Sequence, residues 1–190
     1  MTIEQKYKLY EQLLLEWNGR MNLIGPGTVG DIRRRHIDDS AQLANFIPRD
    51  RTIIDLGSGA GFPAVVLAIL GYDVIAIEAT TKKCKFLEIL KAELDLPKLK
   101  IVNERVENAL PKIAGGKSAR TKFIITSRGF APIKETLELT RKVDTPYALL
   151  KGENAQTELD AVRDFRGLRA ILHPSTTGPG NIVLLTTEQH

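Results

Sequence analysis

At 190 residues, 43% of them hydrophobic and 26% charged, with 15 Gly and 9 Pro, the chain has the length of one ordinary domain and a globular composition, which excludes collagen-like, low-complexity and disordered readings. The 27 Lys and Arg exceed the 23 Asp and Glu by only a net +4, so charge alone identifies no partner. The longest apolar stretches, residues 65–70 and 74–77, fall far short of the roughly 20 residues of a membrane span, and the charged start at residues 1–8 is unlike a secretory signal, so a cytoplasmic protein is expected.

In residues 2–18 the apolar Ile3, Tyr7, Tyr10, Leu14 and Trp17 recur at helical spacing, and Thr2 with Gln5 forms a capping-box pattern. After a break at Gly25-Pro26-Gly27, a second helix is predicted over residues 31–46, carrying Arg33, Arg34, Arg35 and His36. This helical extension of residues 1–50 precedes a change of pattern. A β-rich run at residues 52–56 leads through glycines to a helix over 63–70, with Pro63 in its first turn. Further strands are predicted at 73–78, 100–102, 123–127, 147–150, 168–173 and 182–187, with helices at 81–94, 133–143 and 155–165. Alternating βα units with apolar strands imply a seven-stranded, mostly parallel sheet covered on both faces. No helix is predicted between the last two strands, only Pro174-Ser-Thr-Thr-Gly-Pro-Gly180, so they form an antiparallel hairpin at one edge. One domain over residues 1–190, with its Rossmann-like core at 51–190, is the expectation.

The segment Asp55-Leu-Gly-Ser-Gly-Ala-Gly-Phe-Pro63 lies at the carboxyl end of the first strand, where doubly wound sheets open onto their ligand crevice. Its order is Gly57-x-Gly59-x-Gly61, and Phe62 stands where a dinucleotide fingerprint needs its third glycine. S-adenosylmethionine has no pyrophosphate, and this spacing suits it. Glu78, 17 positions beyond Gly61 at the end of the second strand, is placed to accept both ribose hydroxyls. Asp55, the loop and Glu78 together point to a class I SAM-dependent methyltransferase fold, against a flavin or nicotinamide fold with a degenerate loop. Gly57, Ser58, Gly59, Gly61, Phe62 and Glu78 are the cofactor candidates.

Several segments carry a resemblance: Trp17-Asn-Gly-Arg-Met-Asn-Leu23, Arg35-His-Ile-Asp-Asp-Ser40, the glycine loop, Arg105-Val-Glu107, Ser127-Arg-Gly-Phe130 and Leu150-Lys-Gly152. These resemble successive signatures of the RsmG (GidB) family over nearly the whole chain. The resemblance implies a SAM-dependent enzyme that methylates guanine N7 in the 530 loop of bacterial 16S ribosomal RNA. It also implies that Gly57 and Phe62 line the cofactor, that Val106 and Glu107 hold its adenine, and that Arg128 sits between cofactor and substrate.

The residue inventory agrees with such chemistry. Guanine N7 carries a lone pair and no proton, so it attacks a sulfonium methyl without a general base; no catalytic acid or base is expected. The segment Thr126-Ser-Arg-Gly-Phe130 lacks the Asn/Asp-Pro-Pro-aromatic clamp used on exocyclic amines, and Cys84, in a predicted helix, reads as packing rather than as a nucleophile. Arg128 is the candidate for reading N7 and O6 of the base, with an ion pair to Glu78 or Glu107 as its alternative. Phe62 or Phe130 is a candidate for stacking on the base, or for the core. His36 reads as a packing or orienting residue, and no metal site is expected from His36, His173 and His190. For RNA, the candidates are Arg33, Arg34, Arg35, Arg105 and Lys151, with Lys82, Lys83 and Lys85 beside them. Residues 98–122 carry seven basic groups against two acidic ones, a second basic feature suited to a polyanion. The expected partner is 16S ribosomal RNA or the small ribosomal subunit, met by a monomer. Two other readings stay open: a SAM-dependent enzyme acting on a small molecule, and a non-catalytic RNA- or nucleotide-binding relative.

Overall fold

The computed structural model describes residues 1–116, 118–165 and 167–187. Helix α1 (Ile3–Met21) begins with the capping box: Thr2 Oγ1 accepts from Gln5 N at 3.2 Å and Gln5 Oε1 from Thr2 N at 2.8 Å. It ends at Asn22, whose left-handed φ of 48° lets its N–H reach Asn18 O. Tyr7, Tyr10 and Leu14 form the buried stripe, whereas Ile3 is exposed.

The single helix expected over residues 31–46 is instead a succession of four short pieces. A 3₁₀ turn (Pro26–Asp31) is followed by a π-helical segment (Arg33–Asp38), the short α2 (Asp39–Ala41) and another 3₁₀ turn (Gln42–Asn45). In the π segment Asp39 N–H reaches back five residues to Arg34 O, while the Arg35 carbonyl accepts 2.8 Å from Arg128 Nη2. A bond to a distant side chain replaces regular helical geometry there, a common setting for π-bulges at functional sites.

The sheet has the order β3-β2-β1-β4-β5-β7-β6. Strands β1 (Thr52–Leu56), β2 (Val74–Ile77), β3 (Leu99–Val102), β4 (Phe123–Arg128) and β5 (Tyr147–Lys151) are parallel. The hairpin of β6 (Leu168–Pro174) and β7 (Asn181–Thr187) is antiparallel, with β7 against β5. Because side chains alternate along a strand, Ile53 and Ile54 enter different cores. On one face α1, α3 (Ala64–Ile69) and α4 (Thr81–Glu93) bury Tyr10, Leu14, Leu67, Phe86 and Leu87 with Ile53. On the other, α5 (Val106–Ala114), α6 (Ala119–Lys122), α7 (Ile133–Thr140) and α8 (Ala155–Asp160) enclose Leu110, Ile133 and Val162 with Ile54 and Ile125. Helices α5 and α6 have no counterpart in the sequence reading; Pro111 sits inside α5, where it removes a helical N–H.

β1 lies between β2 and β4, where the chain reverses its direction of travel across the sheet. The ligand crevice of such sheets opens at the carboxyl ends of the strands flanking that point. Among the described residues no helix is long and apolar enough to cross a membrane.

Candidate active site

The loop leaving β1 is built on backbone that an L side chain resists. Gly57 has φ +65°, and a Cβ there would lie 2.6 Å from Phe130 Cδ2; Gly61 has φ +101°, and a Cβ there would lie 2.6 Å from Val65 Cγ2 and 2.8 Å from Tyr10 Oη. The glycines thus let the loop close down on Phe130 and Tyr10. Tyr10, fully buried, donates to Ala60 O at 2.7 Å and ties α1 to the loop. At the end of β2 the Glu78 carboxylate is buried and accepts from Gly59 N at 3.0 Å and Thr80 N at 2.7 Å. It joins the two strand ends that border the crevice. Two of its lone-pair sites serve these donors and two are left over. Ser58 is buried, its hydroxyl donating to Asp55 O at 3.3 Å.

Asp55 is completely buried beneath this loop. Its Oδ1 accepts from Thr126 Oγ1 at 3.0 Å, while Oδ2 has no hydrogen-bond partner. Burial pushes its pKa up to about 7; the nearby Glu78 carboxylate adds to this and the neighbouring Ser58 and Thr126 hydroxyls oppose it. Cys84 is buried with its thiol on Glu78 O at 3.2 Å, and burial raises it to about 11. That is a packing residue, not a nucleophile.

Arg128, the last residue of β4, pairs with neither Glu78 nor Glu107, contrary to the alternative weighed from the sequence. Its Nε lies 3.2 Å from Asp39 Oδ2, its Nη1 is 2.6 Å from His36 Nδ1 and its Nη2 donates to Arg35 O. Guanidinium groups only donate, so His36 Nδ1 accepts and the proton sits on Nε2, which donates to Thr28 Oγ1 at 2.8 Å. Burial, reinforced by the Arg128 cation, pulls the His36 pKa down to about 4. His36 is thus a buried, neutral imidazole packed on Phe62 and bonded to Arg128.

Of the two alternatives for Phe62, stacking on the base or core, the structure shows the core. Its ring is buried between Tyr10, at 5.1 Å, and His36, at 4.9 Å, which leaves no face for a base to stack on. Phe130 is half-buried, with its ring over Gly57. Val106 is buried at the first turn of α5, Glu107 is exposed beside it, and both follow β3 at the crevice end of the sheet.

Three of the RNA candidates are engaged within the chain. Arg33 forms ion pairs with Glu4 and Asp38, each at 2.9 Å, and Arg34 with Asp31 at 2.9 Å. Lys151 meets Glu158 at 2.7 Å and Ala131 O at 2.9 Å, its side chain only 10% exposed. These side chains stitch neighbouring elements together, a role that sequence position does not distinguish from phosphate contact. Arg35 and Arg105 are exposed, as are Lys82 and Lys85, with Lys83 half-buried. The basic run at 98–122 is not a single free patch: Lys98 reaches Asp73, Lys112 pairs with Glu104 and Arg120 with Asp144. Lys117, which belongs to that run, and His190 lie outside the described residues.

Arg35, Asp39, Arg128, Gly129, Lys151 and Thr177 are among the residues that line a cavity of about 500 Å³ at the carboxyl ends of β4 and β5. It adjoins the glycine loop through Arg128, whose guanidinium carbon lies 5.8 Å from the Phe62 ring centre. Asp39 was missed from sequence. Its signal was only an acid three positions after His36, and apart from the nearby Gln42 its side-chain partners lie 89 to 138 residues away.

A glycine loop after β1, an acid after β2 and a cavity beyond β4, on a sheet of this order, define a class I methyltransferase fold. Solved structures share it. One is an rRNA methylase from Streptococcus thermophilus, with TM-score 0.54 and 18% identity over 80% of this chain and 93% of that one. A mutant of MtNAS in complex with S-adenosylmethionine has TM-score 0.60 and 16% identity, over 98% and 76%. Sequence goes further. The GidB family, described as rRNA small subunit methyltransferase G, matches residues 3–172. Ribosomal RNA small subunit methyltransferase G of Gluconobacter oxydans is 36% identical over 189 residues, 97% of this chain and 93% of that protein. The chain belongs to the rRNA small subunit methyltransferase G family.

Proposed function

We propose that this chain transfers a methyl group from S-adenosylmethionine to N7 of a guanine in the 530 loop of 16S ribosomal RNA, working as a cytoplasmic monomer on that RNA or the small subunit that carries it. The observation that carries this reading is a glycine cradle with two buried acids, joined through Arg128 to a cavity lined by Arg35 and Arg128, in a chain of this family.

The residues present fit the cofactor. A loop whose glycines have no room for side chains offers backbone close to a ligand, and Asp55 keeps a buried oxygen without a partner beneath it. In the proposed assignment, Gly57, Ser58, Gly59 and Gly61 hold the methionine side, Glu78 takes the ribose hydroxyls on its remaining lone pairs, and Val106 and Glu107 border the adenine. S-adenosylmethionine supplies an electrophilic sulfonium methyl, which a nitrogen lone pair takes while the carbon–sulfur pair stays on sulfur.

The chain's own contribution is position. Well-oriented reactants are worth up to about 7–11 kcal/mol of barrier. Arg128 is held through all three guanidinium nitrogens, which leaves one N–H on each Nη; in this reading those two donate to the adjacent N7 and O6 acceptors of guanine. His36, kept neutral by burial and by Arg128, accepts from that guanidinium and does not compete with it for the base.

The test is restoration of 7-methylguanosine to ribosomal RNA from cells lacking the activity, read by strand cleavage with aniline after borohydride reduction. New cleavage in the 530 loop is expected. An unchanged cleavage pattern contradicts the proposal.

A further inference from the structure

The cavity beside Arg128 has a wall that comes from the far edge of the sheet. The turn between β6 and β7 contributes Thr177, Gly178, Pro179 and Gly180 to it. That turn is attached to the body of the protein through two side chains, Asp39 and the Gln42 that Asp39 itself holds. Asp39 Oδ1 accepts from Ser175 Oγ at 3.1 Å, from Thr177 Oγ1 at 2.9 Å and from Gln42 Nε2 at 2.9 Å. Gln42 in turn accepts from Thr176 N at 3.1 Å through its Oε1. The other carboxylate oxygen, Oδ2, holds Arg128 Nε.

Asp39 therefore has one oxygen on the β6–β7 wall of the cavity and the other on the group proposed to read the base. Both oxygens are used, and the side chain is only 18% exposed, so the pairing is shielded from bulk water more than a surface ion pair is. Charge-assisted bonds of this kind are strong and directional. A surface turn of Ser, Thr, Gly and Pro would otherwise sample many conformations. The backbone underneath is matched to the task, because the π segment that ends at Asp38 delivers Asp39 to this point while leaving the Arg35 carbonyl for Arg128 Nη2.

We propose that Asp39 is a positioning residue for the methyl transfer: it couples the β6–β7 turn to Arg128 and so fixes the width of the base cavity and the direction of the guanidinium together. This rests on the functional reading above. The role belongs to Asp39 and not to its neighbour Asp38, which is taken up by Arg33.

The experiment compares wild type with Asp39→Asn, Asp39→Ala and Arg128→Ala, and the double variant Asp39→Ala/Arg128→Ala, using small ribosomal subunits that lack the modification. kcat and KM for the subunits are measured together with equilibrium binding of S-adenosylmethionine. Misplacement of a reactant by about 1 Å can cost on the order of 10²-fold in rate. Asp39→Ala should lose about that factor in kcat/KM for the subunits, with cofactor affinity within about twofold of wild type. Asp39→Asn keeps an acceptor for Ser175 and Thr177 but not the charge facing Arg128, and should fall between. The double variant should lose less than the sum of the two single losses, since coupled groups are not additive. Hydrogen exchange at residues 175–180, measured without substrate, should rise in both Asp39 variants.

Wild-type turnover by both Asp39 variants overturns the proposal, as does a loss fully additive with Arg128→Ala or a parallel fall in cofactor affinity. Should Asp39→Ala not fold, the isosteric Asn variant and its exchange rates decide. If the wild-type chain itself makes no product, the functional reading fails and the role of Asp39 goes with it.

Discussion

Asp55→Asn gives the sharpest energetic test of how the crevice is built. The acid is fully buried, its Oδ1 accepts from Thr126 and its Oδ2 has no partner, so the amide replaces it at nearly equal volume and keeps the existing bond. The acid titrates near pH 7 in the folded chain, against a reference of 3.8. Between those two values the folded chain holds a proton that the unfolded chain has released, so wild-type stability falls as pH rises toward and through 7. From pH 5 to pH 8 that linkage amounts to about 2.5 kcal/mol. His36 acts with the opposite sign. It titrates near 4 when folded, against 6.5, so its contribution rises with pH over that interval, but it is common to both proteins and drops out of their difference. Urea denaturation of wild type and Asp55→Asn at pH 5 and 8, without ligand, measures the difference directly. The stability of the Asn variant relative to wild type should increase by about 2.5 kcal/mol over that range. Parallel pH curves would refute the buried, proton-holding carboxyl.

Three other outcomes follow from the same geometry. Gly57→Val places a branched side chain at φ +65° and within 2.6 Å of Phe130; it should abolish S-adenosylmethionine binding by calorimetry while far-UV circular dichroism retains the fold. Normal binding by that variant contradicts the loop assignment. Arg128→Ala should lower methylation by more than tenfold in kcat/KM, about 1.4 kcal/mol or more of transition-state stabilisation, with cofactor affinity nearly unchanged; an equal fall in both assigns Arg128 to the cofactor instead. Tyr10→Phe strips the Ala60 carbonyl of its buried donor and should cost about 1–3 kcal/mol in denaturant unfolding, so a neutral result removes Tyr10 as the tie between α1 and the loop.

Most of the sheet was legible because each strand is a short apolar run and the connections differ in kind. The missing helix between residues 173 and 182 marked the antiparallel hairpin, and the glycine spacing after β1 marked the crevice. Helix α5 is illegible in the sequence because Pro111, ordinarily a helix breaker, lies within it. The regular helix expected at 31–46 is absent where Arg128, 93 residues from the Arg35 carbonyl it binds, takes that carbonyl, and local periodicity carries no trace of such a partner. The same blindness explains the site. His36 and Arg128 each stand out in the sequence, but their mutual contact, and Asp39 between Arg128 and the turn, join residues 89 to 138 positions apart. Arg33, Arg34 and Lys151 looked like phosphate ligands because composition records a charge and not the carboxylate already beside it. Phe62 was placed correctly in the loop, yet only the fold shows Tyr10 and His36 closing on its ring.

The most direct measurement incubates the purified chain with deuteromethyl-labelled S-adenosylmethionine and unmodified small ribosomal subunits and then sequences the RNA fragments by mass spectrometry. One labelled methyl on N7 of a single guanine in the 530 loop is the predicted result. Label on an exocyclic amine, a ribose or another region of the RNA, or no label at all, contradicts it.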